Sequence, residues 1–228
     1  MPFIWIIFIG FMLLSWAVSA SLKNKFKRYS KIPTVGGLTG KEVAEKMLRE
    51  NGISDVTVIS TAGRLTDNYN PVNKTVNLSA DVYNGNSIAA AAVAAHECGH
   101  AVQHATAYRW LNMRSALVPV VSFASNWVQW VLLAGILLLD RFPHLLLFGI
   151  ILFAITTLFS FITLPVEINA SMRAVAWLDN AGITTYDTLP MAKSALRTAA
   201  YTYVIAALSS LATLLYYVMI FLGGNRRS

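Results

Sequence analysis

Long uncharged stretches alternate with one extended polar section along the chain. Residues 2–20 carry no charge, close to the ~20 residues a helix needs to cross a bilayer. Residues 116–139 form a second apolar stretch, interrupted by Pro119, Asn126 and Gln129. Residues 145–164 form a third, also uncharged, and a fourth runs over roughly 199–222. Between the first and second, residues 32–114 read as a small α+β section. There Thr39 caps a helix whose Val43, Met47 and Leu48 share one face and which ends at Gly52. Residues 56–60 and 75–79 have strand composition, and the turn-rich segment LTDNYNPVNK between them predicts a hairpin or small sheet. Asn84-Gly85-Asn86-Ser87 supplies a turn and an N-cap for an alanine-rich helix over residues 87–107. Past the third span, Pro165 precedes an amphipathic helical pattern over 166–178, and a loop at 179–190 leads to the last span. No segment repeats and none is of low complexity.

The expected organisation is therefore an N-terminal transmembrane anchor (1–20), an α+β section (21–115), a two-helix transmembrane hairpin (116–164), a further helical segment (165–198), and a last transmembrane helix with a short tail (199–228). Composition agrees with a mainly α membrane protein of about four spans. The chain is 56% hydrophobic and only 13% charged, where soluble proteins carry ~25%. A net charge of +7 would fit nucleic-acid binding, but the basic residues cluster beside the apolar spans, as membrane topology requires. Nucleic acid is accordingly not expected as a partner; the lipid bilayer is. The single cysteine, Cys98, excludes an intramolecular disulfide.

Charge also orients the spans. Val18-Ser19-Ala20 resembles a signal-peptide cleavage site, yet Lys23, Lys25, Lys27, Arg28 and Lys31 follow the apolar run and no charged side chain precedes it. That asymmetry predicts an uncleaved anchor with its amino terminus outside. Alternation then places residues 21–115 and 165–198 on one side, with 15 Lys and Arg, against three on the other (Arg141, Arg226 and Arg227). The first side is expected to be cytoplasmic. Arg226 and Arg227 run locally against this assignment.

The helix over 87–107 carries His96, Glu97 and His100 in the order H-E-x-x-H. Residues i and i+4 stack on one helical face, so both imidazoles can hold one Zn²⁺, while Glu97 can serve as base toward a water on the metal. Gly99 and the alanines at 89–92 leave room for another helix to approach. A catalytic zinc needs a third protein ligand. His104 lies eight residues from His96, about 12 Å along the axis at ~1.5 Å per residue, too far to share the ion, and reads as a supporting or surface residue. His144 falls on the opposite membrane face, and Cys98 reads as a packed thiol. Four carboxylates follow the motif: Asp140, Glu167, Asp179 and Asp187. Asp140 is on the wrong side, whereas Glu167 stands at the cytoplasmic mouth of the third span and is the favoured ligand. A metal transporter with the motif in a spanning helix and a non-catalytic scaffold with a structural zinc are the competing classes.

The segments GLTGKEVA (37–44), LTDNYNP (65–71), LSADVY (78–83), AAHECGHAVQH (94–104), RSALVP (114–119) and LPVEINAS (164–171) together resemble the YugP-like family of membrane zinc metallopeptidases, over nearly the whole chain. The resemblance implies a gluzincin-like zinc endopeptidase with a zincin-like catalytic section, His96, His100 and Glu167 as ligands, and Glu97 as catalytic base. Asn169 stands where the family leads one to expect Asp, and Ser171 stands where many gluzincins carry the carboxylate that orients a histidine ligand. Asp67 or Asp81 are candidates to replace it. The expected activity is hydrolysis of peptides or membrane-associated proteins at the cytoplasmic bilayer surface. The strand at 75–79 is a candidate for pairing with an extended substrate, and Arg173 a candidate for stabilising the oxyanion.

Overall fold

The computed structural model describes residues 2–63 and 66–224. Arg64, Leu65, Arg226 and Arg227, which enter the charge count or the motifs above, lie outside the described residues. The elements run α1 (Pro2–Tyr29), α2 (Gly40–Glu50), β1 (Thr57–Thr61), β2 (Asn68–Asn70), β3 (Thr75–Ser79), α3 (Ala80–Tyr83), α4 (Ile88–Ala105), α5 (Arg109–Leu137), α6 (Pro143–Asn180) and α7 (Leu189–Gly224). Among the described residues four helices are long and apolar enough to cross a membrane: Trp5–Tyr29, Arg109–Leu137, Pro143–Asn180 and Leu189–Gly223.

Helix starts follow the local chemistry. Thr39 and Glu42 form a reciprocal capping box on α2, with the Thr39 N–H donating to Glu42 Oε2 at 2.8 Å. Ser87 Oγ accepts from the Ala90 N–H at 3.2 Å and caps α4. Helix ends are less local. Pro165 does not divide the third span from the pattern after it: both belong to the 38-residue α6. A proline forfeits one helical hydrogen bond, and the bonds on either side hold the rod together. At ~1.5 Å per residue α6 is about 57 Å long, so a ~30 Å hydrocarbon layer leaves well over a third of it outside. Helix α7 likewise begins about ten residues before the apolar stretch, where Thr185 and Thr188 exchange side-chain-to-backbone bonds (2.7 and 3.3 Å) and Pro190 fits the first turn.

The sheet also differs from a simple hairpin. Its order is β1-β3-β2, with β1 parallel to β3 and β2 antiparallel to it. Strand β2 is Asn-Tyr-Asn, a composition that reads as turn because Asn is depleted in strands; its pairing with β3 overrides that preference. Asn70 Oδ1 accepts the Val72 and Asn73 N–H groups (2.9 and 3.1 Å) and turns the chain into β3.

The chain divides into two compact units. One comprises residues 1–16, 113–164 and 203–228. Its interior centres on Leu132, Leu146 and Ile150, with Phe153, Leu214 and Tyr217 packed against them. Gly135 lies against the Leu146 backbone, where a Cβ would come to 2.6 Å, and Thr157 and Ser210 share a 2.7 Å hydrogen bond between α6 and α7. Small residues and hydroxyls in these places are how helices associate in lipid.

The second unit comprises residues 17–112 and 165–202. Its core joins Val43 and Met47 of α2, Val76 and Leu78 of β3, Leu178 of α6 and Leu196 of α7 around the alanines of α4, of which Ala91, Ala92, Ala94 and Ala95 are wholly buried. Alanine there makes α4 a thin rod that neighbours approach on several sides. One close approach is at Gly99. A Cβ on it would sit 2.6 Å from the Ala170 carbonyl oxygen and 3.1 Å from its Cα and carbonyl carbon. Ala170 is one turn past Glu167, so this contact sets how near α6 comes to the His96–His100 face. Gly99→Ala is expected to force the helices apart at a cost of about 1–3 kcal/mol, lowering the unfolding temperature and weakening zinc binding at least tenfold in competition against a chromogenic chelator. Unchanged zinc affinity in this variant would mean that the contact does not set the spacing.

Candidate metal centre

His96, Glu97 and His100 lie on α4 and Glu167 on α6. Glu167 Oε2 is 3.3 Å from His96 Nε2 and 3.7 Å from His100 Nε2. One ligand atom from each of the three falls within 4.8 Å of the others, and this is the sole such group of three among the described residues. His104, His144, Asp140, Asp179 and Asp187 are not brought into it. The donor set fits zinc: two atoms bound tetrahedrally at ~2.0–2.1 Å from one ion lie about 3.3 Å apart, near the separations seen here.

Both imidazoles are braced from behind. His96 Nδ1 is 3.1 Å from Ser171 Oγ and His100 Nδ1 is 3.0 Å from Gln103 Oε1. The orientation of the Gln103 amide is fixed independently, because its Nε2 donates to the Val166 carbonyl at 2.8 Å and to Asn169 Oδ1 at 3.0 Å. Its oxygen can only accept, so His100 carries a proton on Nδ1, and Nε2 is the ring atom that faces Glu167. With the same tautomer, His96 donates to Ser171. Arg173 Nε in turn donates to Asn169 Oδ1 at 2.8 Å, so Arg173 has a bracing task at the far end of this chain of bonds.

These contacts answer the question of what orients the histidines. Ser171 does so itself, in the position where a carboxylate was missed, and Gln103 does so for His100; Asn169 anchors Gln103. Asp67 is engaged elsewhere, accepting from the Ser79 N–H (2.7 Å) and Oγ (3.0 Å). Gln103 was not singled out from the sequence, although its place three residues after His100, on the same helical face, was the available signal. Cys98 is the packed thiol expected, wholly buried with Sγ 3.6 Å from the Ala44 carbonyl, and burial pushes its thiol up. His104 is exposed and its Nδ1 lies 2.8 Å from the Tyr69 hydroxyl.

Glu97 is buried, and its Oε2 accepts the backbone N–H of Tyr69 in β2 at 2.9 Å. Burial raises its carboxyl above the ordinary range; His96 and His100 act in the opposite direction, and the negative charges of Glu167 and Asp67 add to the rise. At His100 burial opposes the charge, but the adjoining Glu167 and Glu97 outweigh it and raise the imidazole. The sheet also corrects the expected substrate contact. Strand β3 pairs with β1 along residues 75–79 and with β2 along residues 75–77, so it is the central strand and not a free edge; β2 is the edge strand that reaches Glu97.

A family model described as "Putative neutral zinc metallopeptidase" matches residues 4–222. The chain belongs to this family. It is also 43% identical over 225 residues to "Putative membrane protease YugP" of Bacillus subtilis (strain 168), covering 99% of each chain. No solved structure matches. Zinc is the metal of this family, the His96–His100–Glu167 cluster is a group that could hold such an ion, and the four apolar helices agree with a membrane metalloprotease.

Outer partners of histidine ligands typically contribute 10–100-fold to metal affinity. Gln103→Leu and Ser171→Ala are each expected to weaken zinc binding by about that factor while the protein stays folded by circular dichroism. Affinity within twofold of the parent in both variants would show that these bonds do not orient the ligands.

Proposed function

We propose that the chain is a membrane-embedded zinc endopeptidase of gluzincin type, with a zincin-like catalytic section built on the H-E-x-x-H helix. His96, His100 and Glu167 serve as zinc ligands and Glu97 as the general base. The observation that carries this reading is the convergence of the three donors within 4.8 Å of one another, with Glu97 held on the adjoining arc of α4 by the Tyr69 N–H. Bound there, zinc would supply Lewis acidity, polarising a peptide carbonyl and lowering the pKa of water toward ~7. Glu97 takes a proton from the attacking water and passes it to the leaving amine. Its burial favours the protonated form it must reach between those two transfers, and the Tyr69 N–H supports the ionised form in which it begins. Ser171 and Gln103 keep the imidazoles turned so that Nε2, not Nδ1, faces the cluster.

Three donors without a fourth among the described residues favour catalysis over a closed structural site. Transport is less well supported, because the motif lies on the 18-residue α4, which is not among the candidate membrane spans. The substrate is a peptide or the exposed part of a membrane protein, cleaved at the cytoplasmic surface.

Glu97→Gln is expected to keep stoichiometric zinc and lose peptide hydrolysis by about 10²–10⁴-fold, and a zinc chelator to abolish activity that added zinc restores. Wild-type protein that binds no zinc at neutral pH, or metal flux into proteoliposomes that survives Glu97→Gln, would refute the peptidase reading. Sidedness is tested by cysteines at the exposed positions Ser30 and Phe142: a membrane-impermeant maleimide added outside whole cells should label Phe142→Cys and not Ser30→Cys, and the reverse pattern inverts the assignment.

A further inference from the structure

A groove of about 920 Å³, within the ordinary range for ligand sites, lies in the second unit between the last turns of α1 and the first turns of α4. Its α1 wall is one helical face, with Ser19, Lys23, Phe26 and Ser30 at spacings of four, three and four, and Lys27 beside them. Ala89, Ala90 and Val93 form the α4 wall. Phe26 and Tyr29 pack with Ala89 and Ala195, and Lys25 Nζ donates to Thr198 Oγ1 at 2.6 Å, so the α1 wall is fastened in place.

The α4 wall of the groove ends at Val93, one turn before His96 of the candidate metal centre. Between Ile88 and Gln103 every residue of α4 is buried except Val93 and His96, which are one turn apart on the same face. At its other border Asp67 stands two residues before Tyr69, whose N–H holds Glu97. The groove also begins at Ser19, where the uncharged stretch of α1 ends. From Ser19 to Ser30 it follows α1 for about 16 Å, the length of roughly five extended residues.

Four charged side chains line it: Lys23, Lys27, Asp67 and Asp81. Asp67 is engaged by Ser79, and Asp81 has an interaction of its own. Lys23 and Lys27 are exposed and make no side-chain hydrogen bond or ion pair among the described residues, in contrast to Lys25. They stand one helical turn apart, about 6 Å, which matches the spacing of alternate side chains on an extended peptide.

We propose that this groove seats the substrate polypeptide on one side of the scissile bond, and that Lys23 and Lys27 select acidic residues two positions apart in it. The proposal rests on the peptidase reading for its substrate class, and on the groove geometry for its specificity.

The test uses zinc-loaded full-length protein in phosphatidylcholine nanodiscs. Fluorogenic peptides carry Glu-x-Glu, Gln-x-Gln or Lys-x-Lys at several distances from the cleaved bond. Two exposed charge pairs are expected to favour Glu-x-Glu over Gln-x-Gln by about three- to tenfold in kcat/KM. The preference should shrink at high salt, and K23E/K27E should invert the ranking of Glu-x-Glu and Lys-x-Lys, which a merely structural role for the lysines would not do. A second measurement does not depend on turnover. In E97Q/S30C, a benzophenone maleimide labels position 30 while the buried Cys98 stays unlabelled, and light should crosslink Glu-x-Glu peptide several-fold more than Lys-x-Lys. Acid-selective crosslinking without hydrolysis in the wild type would uphold the groove and sink the peptidase reading. Hydrolysis without charge preference, or crosslinks to phospholipid in place of peptide, would overturn the groove proposal.

Discussion

The candidate metal centre depends on how closely two helices approach. Helix α4 brings two imidazoles and α6 one carboxylate, and Gly99 lets the Ala170 backbone, one turn from Glu167, lie directly against α4. Buried alanines on either side of the motif keep the rest of α4 equally narrow. Close packing of this kind is stiff, since a displaced methyl group cannot be absorbed by empty space. The spacing of the ligands is therefore carried by backbone against backbone, which varies less than contacts between long side chains.

Around that contact the polar groups form one connected network. His100, Gln103, Asn169 and Arg173 follow one another, with the Val166 carbonyl as a second anchor, and Ser171 holds His96. Each amide in the chain has its orientation dictated by the next partner, so the Nδ1 proton of His100 follows from the fold. Neutral partners behind both ligands, in place of a carboxylate, leave the imidazoles less electron-rich. An ion held there would retain more of its Lewis acidity. The buried carboxylate of Glu97 is supported differently, by a backbone N–H from a three-residue strand. That strand owes its existence to β3, and so the short sheet, otherwise a minor element, holds Glu97 in place.

Much of this was legible in the sequence for local reasons. Capping by Thr39 and Ser87, the four apolar stretches and the stacking of His96 on His100 are all consequences of residues within one or two turns of each other. Glu167 was reached by eliminating other carboxylates, and the structure brings it to the histidines. Other features resisted local reading. Proline suggested a break at 165, and an Asn-Tyr-Asn segment suggested only a turn. Ser171 and Asn169 looked like missing carboxylates because a carboxylate is the usual partner, whereas a hydroxyl or amide oxygen accepts an Nδ1 proton as well.

By itself, then, the sequence determined the identity and spacing of the groups on each helix, the positions of helix starts, and the membrane-compatible length of the apolar runs, because each depends on short-range periodicity and capping. Tertiary structure alone decided how closely Glu167 approaches the histidines, which oxygen holds each imidazole, which strand reaches Glu97, and that Lys23 and Lys27 of α1 border a groove whose α4 wall stops one turn before His96. All of these are contacts between residues tens of positions apart, set by how closely α4 packs against α1, α6 and the sheet, and no local pattern encodes that distance.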